Sequence, residues 1–269
     1  MGTMLLEAGV PLTRCFEALC LSEPTLIRSI HEQYVEAGAG VIGTNTFGAN
    51  AVRLARFGLE RRVAEINQSA AQLARGVANG RRVYVAGSVG PLGISADEAV
   101  DRAIDRGACY REQIAALLDG GVQLILLETF TRVEEITLAF EAAKDARAAA
   151  IVCSFASDAS GCLACGTNVV DACAALQSAG AEIFALNCMS GADVLEVTGS
   201  VPNGGVAAAY PSAGRPRQER GQFVYEATPE QFAHVARRLI DQGVRLIGGC
   251  CGTTPNHVRA IADTIADFA

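Results

Sequence analysis

The feature that most constrains the fold of this chain is a repeated alternation between short apolar runs and longer stretches of helical periodicity. Each run is apolar on both faces, which is expected for a strand inside a parallel sheet that helices cover on both sides. The seven predicted strands span residues 40–44, 83–88, 124–128, 150–155, 183–187, 206–210 and 246–249. The alternating order of strands and helices therefore indicates the α/β class.

The stretches between these runs carry helix signals. Ser22 can cap a helix that has Pro24 in its first turn and stops at Gly38. Thr254 and Pro255 precede a last helix in which apolar residues recur at spacings of three and four. Both patterns predict helices that pack one apolar face against the sheet.

Seven strands fit either an open, doubly wound sheet or a barrel that is short of one strand. The length of 269 residues suits a barrel, and polar or reactive residues follow the predicted strands, where barrel enzymes place their active sites. We therefore predict one domain over residues 1–269, a (β/α)8 TIM barrel. Its eighth strand would lie at the very N-terminus, where little sequence precedes Gly2, so the first strand is expected to be truncated or to lie upstream.

Composition narrows the classes of partner and location. Half of the residues are hydrophobic, and 22 basic residues stand against 29 acidic ones without a basic cluster, which argues against a nucleic-acid partner. No apolar run is long enough to span a membrane, and the first residues do not resemble a secretory signal. We expect a cytoplasmic protein whose ten cysteines are reduced thiols.

Two adjacent cysteines follow the last predicted strand. Cys250 and Cys251 stand between Gly249 and Gly252, and glycines allow the close backbone approach that a tight metal loop needs. Neighbouring cysteines do not readily form a disulfide with each other, because that bond requires a specific Cα separation. Both sulfurs can instead turn toward one metal ion, near the positive end of the following helix.

A third ligand is expected from Cys188, which follows the predicted strand 183–187 and lies 62 residues before Cys250. Three thiolates leave one tetrahedral position of a zinc ion open, the arrangement of catalytic rather than structural sites. Such a site carries about one negative charge, and about two once a substrate thiolate binds. The excess charge keeps that sulfur electron-rich, so the site suits thiol activation better than hydrolysis.

The remaining cysteines and histidines have simpler interpretations. Cys162 and Cys165 form a lone Cys-x-x-Cys between glycines, for which a turn is favoured over a redox pair or a second metal site. His31 is predicted on the polar side of its helix, as a scaffold residue. His234 and His257 are predicted at the surface, and five cysteines are predicted to fill the core: Cys15, Cys20, Cys109, Cys153 and Cys173.

Several segments, taken together, resemble the homocysteine S-methyltransferase family. This family includes betaine– and S-methylmethionine–homocysteine methyltransferases and the homocysteine module of cobalamin-dependent methionine synthase. The doubled cysteine between glycines, with Asn187-Cys188 upstream, is the most specific match. Supporting matches lie at residues 1–5, 44–50, 87–91, 127–129 and 248–253. Thr129 and residues 213–216 are closer to the methionine-synthase branch.

The resemblance implies a zinc-dependent enzyme that methylates homocysteine to methionine, with Cys188, Cys250 and Cys251 as catalytic zinc ligands. It also implies that Glu128 binds the amino group of homocysteine. An internal salt bridge to Arg or Lys is the alternative for that carboxylate. Backbone and side-chain contacts to the substrate are expected from residues after strands two, three and seven: Thr44, Asn45, Gly87, Ser88 and Ser212. A scaffold turn is an equally good interpretation of the first two segments.

Two departures from the family pattern stand out. An Asp-Gly pair usually precedes the stretch that begins here at Met1, and its aspartate shapes the homocysteine site. Ser212 stands where family members carry an asparagine, so water is expected to fill the open metal position. The methyl donor stays open among S-methylmethionine, betaine, S-adenosylmethionine and methylcobalamin. Two alternatives to an independent enzyme are a subunit that requires a separate methyl-corrinoid protein and a non-catalytic zinc- or thiol-binding protein.

Overall fold

A computed structural model describes residues 1–202, 205–214, 217–219 and 222–268, so Arg215 and Pro216 of the segment compared above lie outside it. All seven predicted strands occur in one parallel sheet, in which each strand pairs with the next along the chain. The strands of this sheet are β1 (Val41–Gly43), β2 (Tyr84–Val89), β3 (Leu124–Phe130), β4 (Ile151–Phe155), β5 (Ile183–Ser190), β6 (Ala208–Ser212) and β9 (Leu246–Ile247). Between β6 and β9 along the chain, β7 (Arg217–Glu219) and β8 (Gln222–Val224) form a separate antiparallel hairpin.

Helices follow the strands in the order that a TIM-like α/β fold requires. They are α1 (Gly2–Glu7), α2 (Leu19–Ser22), α3 (Pro24–Glu36), α4 (Ala51–Leu54), α5 (Val63–Ala78), α6 (Ala96–Asp101), α7 (Arg106–Asp119), α8 (Val133–Asp145), α9 (Val169–Ser178), α10 (Gly191–Ser200), α11 (Pro229–Asp241) and α12 (Pro255–Ala266). Two short 3₁₀ helices cover Ala55–Phe57 and Glu60–Arg62. The repeated parallel connections confirm the predicted fold class.

The N-terminal residues contribute no eighth strand to the part of the sheet that the structure describes. Gly2–Glu7 forms helix α1. Within the described residues the sheet therefore has seven parallel strands, and β1 and β9 are its two edges. The sheet curls as a half-barrel that is open between these edges.

Helix starts follow the sequence signals closely. Thr254 caps α12, with Pro255 in the first turn, as predicted. Helix α3 also has its proline in the first turn, but Glu23 is its N-cap residue, because Ser22 is the last residue of α2. The predicted capping role of Ser22 is therefore wrong.

Strand β3 illustrates how the sheet divides two apolar regions. Ile125 and Leu127 are fully buried in the large core between the sheet and the helices. Leu124 and Leu126 point to the opposite, inner side, where they pack against a smaller cluster. Because side chains alternate along a strand, Glu128 also faces the inner side, beside a cavity.

Most cysteines outside the doubled motif fill the core, as predicted. Cys15, Cys20, Cys153 and Cys173 are buried, and Cys109 is partly buried. None of the helices in the described part of the chain combines the length and hydropathy that a membrane span needs.

Candidate metal centre

Three cysteine sulfurs converge at the carboxyl ends of two strands of the sheet that lie on either side of β6. Cys188 lies near the end of β5, and Cys250 and Cys251 lie in the loop between β9 and α12. The Sγ of Cys251 is 3.9 Å from that of Cys188 and 4.0 Å from that of Cys250, and all three lie within 4.8 Å of one another. Sulfur ligands around tetrahedral zinc are separated by about 3.8 Å, given Zn–S bonds of about 2.3 Å. The three thiols therefore fit one zinc ion.

Backbone hydrogen bonds hold the doubled cysteine against strand β6. The amide of Cys250 donates to the carbonyl of Pro211 (2.9 Å), and the amide of Ala213 donates to the carbonyl of Cys251 (2.8 Å). The hydroxyl of Thr253 donates to the carbonyl of Cys250 at 2.7 Å. The loop is therefore fixed independently of any metal.

Gly252 is required by the geometry of this loop. Its φ of +77° lies in the left-handed region, and a Cβ placed on it would come within 2.2 Å of the ring of Tyr225. Any side chain at this position would be both strained and in collision with Tyr225. The glycine after the doubled cysteine is thus explained by the structure.

Cys188 is also held in an unusual backbone conformation. Its φ is +62°, and the register between β5 and β6 shifts between Asn187 and Ser190. A bulge of this kind re-aims a side chain at the end of a strand. Here it brings the Cys188 sulfur toward the loop that follows β9.

The pKa values of the three thiols depend on hydrogen bonds among them. Hydrogen bonds from Cys188 and Cys250 lower the pKa of Cys251 to about 3. Hydrogen bonding to Cys250 and Cys251 raises the pKa of Cys188. The centre is therefore poised to hold a thiolate, which is the form in which cysteine binds zinc.

Glu128 is enclosed in the interior of the half-barrel. Burial, together with the negative charge of Cys250, raises the pKa of its carboxyl group to about 7, although a hydrogen bond from Ser88 and the amino group of Met1 act in the opposite direction. The Ser88 hydroxyl donates to Oε1 of Glu128. No arginine or lysine among residues that the structure describes forms an ion pair with this carboxylate, so the salt-bridge alternative finds no support.

A cavity of about 530 Å³ joins Glu128 to the cysteine centre. It is lined by Leu126, Glu128, Tyr210 and Cys250, and residues of both edge strands, β1 and β9, contribute to its walls. The volume is at the lower end of the range for small-molecule sites, with mainly apolar walls and a single carboxylate. A small amino acid with a positively charged group fits this combination.

The predicted substrate-contacting residues fall into two groups. Thr44 lines the cavity, and its hydroxyl accepts from the amide of Ser88 at 3.0 Å, so these two residues form a network with Glu128. Ser212 is buried at the end of β6. Asn45 instead donates to the carbonyl of Phe16 at 2.7 Å. Gly87 faces the helix layer, where an added Cβ would meet Ile125 at 3.1 Å.

The structure corrects two histidine predictions and adds one residue. His31 is 2% exposed and lines the cavity, rather than lying on a polar face. His257 is buried, because its ring bonds to Thr254 and to the carbonyl of Ala227 (2.9 Å). Asn187, which the sequence analysis used only as part of a motif, contacts both the end of β3 and Cys250. Its neighbour Cys188 was the only sequence signal for it.

Cys162 and Cys165 do not join the centre. They lie in a turn whose glycines, Gly161 and Gly166, both have positive φ. Among the residues described, Cys188, Cys250 and Cys251 are the one group of three or more potential ligands that could hold a metal.

The sequence of the chain is similar to those of known proteins. A family model described as homocysteine S-methyltransferase matches residues 1–265. The chain is 31% identical to methionine synthase of Mycobacterium tuberculosis and 29% identical to that of Mycobacterium leprae. These matches cover 100% and 99% of this chain but 24% of each relative, so the chain spans about a quarter of their length.

The fold is similar to that of solved homocysteine methyltransferases. The metallated form of MmuM from Escherichia coli superposes with a TM-score of 0.81 and 27% identity, over 98% of this chain and 93% of that one. A methyltransferase from Methanosarcina mazei, 11% identical, shares the fold with a TM-score of 0.63 over 98% of this chain and 90% of that one.

Proposed function

The chain belongs to the homocysteine S-methyltransferase family, and from this premise we propose that it transfers a methyl group to the sulfur of homocysteine, forming methionine. The proposal rests on one observation: the cysteine centre and Glu128 lie at the same cavity. Three sulfurs lie within 4.8 Å of one another, and the cavity that reaches Cys250 also contains the carboxylate of Glu128, which has no Arg or Lys partner among the described residues.

Cys188, Cys250 and Cys251 would hold one zinc ion, and a zinc ion there supplies the chemistry that converts the substrate thiol to a thiolate at neutral pH. Three cysteine thiolates more than balance the metal charge. The substrate sulfur therefore keeps the electron density that it needs as a nucleophile. The hydrogen bonds that fix the doubled cysteine to β6 keep the ligands in place without rearrangement.

Glu128 would bind the ammonium group of homocysteine. A carboxylate inside the half-barrel is costly to hold without a partner, and the substrate ammonium supplies one. Ser88, anchored by Thr44, orients the carboxylate. Fixing the amine at one end of the cavity and the sulfur at the other removes the rotational freedom that a flexible amino acid has in solution.

Methyl transfer then forms one bond and breaks one. The sulfur of homocysteine donates an electron pair to the methyl carbon, and the donor leaves with the pair that bound that carbon. Cys251 is exposed at the mouth of the site, so a donor can approach the reacting sulfur from solvent.

Methionine formation from homocysteine tests this proposal. Zinc-loaded protein is supplied separately with S-methylmethionine, betaine, S-adenosylmethionine and methylcobalamin. We expect product with one of them, and loss of zinc and product in Cys251→Ser. Cys165→Ser is the matched control, since Cys165 is an exposed thiol outside the centre. Zinc binding without homocysteine binding would instead identify a non-catalytic protein.

A second candidate is favoured by the length of the chain relative to the methionine synthases that it resembles. Because it matches about a quarter of those proteins, we propose as this second candidate a homocysteine-activating unit that works only with a methyl-corrinoid protein. This candidate predicts zinc and homocysteine binding with no turnover on small donors. Turnover would begin only when a methylated corrinoid protein is added.

A further inference from the structure

The side chain of Asn187 bridges the end of strand β3 and the cysteine centre. Its Oδ1 accepts from the amide of Thr129 at 2.9 Å and from the hydroxyl of Ser154 at 2.7 Å. Its Nδ2 donates to Oγ1 of Thr129 at 2.7 Å and approaches the sulfur of Cys250 at 3.8 Å. An asparagine amide offers two donors and two acceptor positions, so every one of them is used.

Thr129 needs this support. It follows Glu128 directly and has a φ of +64°, a conformation that is rare for a β-branched residue. Backbone strain of this kind persists only when the surroundings determine the conformation. Here the surroundings are two hydrogen bonds with one asparagine, which accepts from the backbone amide and donates to the side-chain oxygen of the same threonine. The register between β3 and β4 shifts at the same place.

The other side of the bridge is the metal centre. Asn187 precedes Cys188, which is itself held at a positive φ, and its amide contacts the sulfur of Cys250. Both strand ends therefore meet at one rigid, fully buried amide, because Asn187 has no exposed surface. Movement of the β3 bulge relative to the sulfurs would break at least one of these bonds.

We propose that Asn187 is a positioning residue that sets the distance between the amine-binding carboxylate of Glu128 and the cysteine centre, and thereby selects homocysteine over cysteine. This inference rests on the proposed function. Homocysteine and cysteine carry the same amine, carboxylate and thiol and differ by one methylene, so a site can separate them only through the spacing of its two anchors. A loose β3 bulge would let the anchors approach and accept the shorter thiol.

The test compares binding rather than turnover. Isothermal titration of zinc-loaded wild-type protein with homocysteine and with cysteine gives a ratio of dissociation constants that favours homocysteine. Asn187→Ala is expected to lower this ratio by about tenfold. Asn187→Asp keeps the volume and both acceptor positions but loses both donors, and it is expected to lower the ratio as well. Thr129→Val, which keeps the shape of the side chain and loses only its hydroxyl, provides a milder variant that folds if the others do not.

Metal binding supplies a second readout. Because outer partners of metal ligands typically contribute 10–100-fold to affinity, Asn187→Ala should bind Co²⁺ about tenfold more weakly or worse, with a shifted sulfur-to-cobalt charge-transfer band. Asn67→Ala is the matched control. Asn67 is equally buried and donates two hydrogen bonds of 2.8 Å, but to Ala49 and Val63. It should lose stability and keep both the ratio and the cobalt spectrum of the wild type.

The outcomes separate this inference from the proposed function. A wild-type protein that binds zinc but no homocysteine would overturn both. A wild type that prefers homocysteine, together with Asn187 variants that keep that preference within twofold, would overturn the role of Asn187 alone. A lowered ratio in Asn67→Ala would also overturn it, because any loss of buried hydrogen bonds would then have the same effect.

Discussion

Glu128 is the single charged side chain on which recognition of the substrate amine depends in the proposed reaction. Replacement by glutamine removes the charge and keeps the shape. We expect Glu128→Gln to raise the KM for homocysteine by about 30-fold or more, because removing one member of a desolvated charge pair costs about 2 kcal/mol or more. Zinc content should stay at the wild-type level. Steady-state kinetics and metal analysis measure both.

Glu135 provides the matched control for that substitution. It is also a buried glutamate, but its Oε1 accepts from the amide of Leu92 and the hydroxyl of Tyr110, both at 2.9 Å. Glu135→Gln should lower thermal stability and leave the KM unchanged. Equal KM values in Glu128→Gln and the wild type would assign the substrate amine to another site.

His31 should make the stability of the protein depend on pH. Burial and the nearby amino group of Met1 lower the pKa of His31 to about 3, against an ordinary value of 6.5. A depressed histidine pKa means that the unfolded chain binds the proton first, so the stabilising contribution is present above pH 6.5 and is lost as the pH falls toward 3. Between pH 7 and 5 the loss is about 2 kcal/mol.

Chemical denaturation at both pH values measures this loss. His31→Leu should remove about 2 kcal/mol of the difference in unfolding free energy between pH 7 and 5. His234→Leu, at an exposed position, should keep the wild-type difference. A wild-type slope retained in His31→Leu would assign the pH dependence to carboxylates instead.

At the scale of single residues, sequence patterns predicted what local chemistry determines. The adjacent Cys250 and Cys251 between glycines favour a metal-binding loop. The Glu128 carboxylate at the end of an apolar strand favours a positively charged partner. The role of Asn187 could not be predicted from sequence, because its four partner atoms belong to β3, β4 and the loop after β9. The burial of His31 and His257 was missed because a polar residue on a helix can turn inward once another element offers it space or a partner.

The loop after β9 is the element on which the metal site depends most directly. We expect Gly252→Ala to lower the unfolding free energy by about 2 kcal/mol or more and to weaken zinc binding, because it combines left-handed strain with a collision at Tyr225. Denaturation and competition with a chelator of known affinity give both quantities. Gly166→Ala is the matched control, with a φ of +84° and open space around the added Cβ. It should cost about 1 kcal/mol and leave zinc affinity unchanged.

Strands were easier to predict than the places where they end. Continuous apolar runs located all seven parallel strands, because burial on both faces leaves no polar alternation to confuse the pattern. Strands β3 and β5 continue past their predicted ends through bulges at Thr129 and Cys188, and backbone dihedrals of this kind leave no signal in composition. The hairpin of β7 and β8, with three residues in each strand, was also missed.

At the scale of the whole molecule, the described residues form a sheet of seven parallel strands with β1 and β9 as open edges. Alternation of strands and helices predicts the class of fold. It does not determine the secondary structure of the first residues, which pair with no strand of the sheet. Helix α1 instead carries Thr3, whose hydroxyl accepts from the amide of Gly252 at 2.9 Å. The N-terminal segment therefore contributes to the metal loop even as a helix.

Zinc should stabilise the whole molecule, because its ligands join the edge strand β9 to β5 across β6. A ligand that binds only the folded state at a concentration 1,000-fold above its Kd contributes about 4 kcal/mol. For a domain of this size that corresponds to a rise in Tm on the order of 10 °C. Chelation should reverse the rise, and calorimetry of the zinc-loaded and chelated protein measures it.

The same measurement on Cys251→Ser distinguishes this cross-link from weak binding elsewhere on the surface. The substitution removes one of the three sulfurs that bind zinc in the folded state. The unfolded chain keeps nine of its ten thiols and still binds metal, so the folded state loses its advantage in zinc affinity. The Tm of that variant should therefore stay constant or fall as zinc is added. A rise equal to that of the wild type would place the stabilising ion away from Cys188 and Cys250.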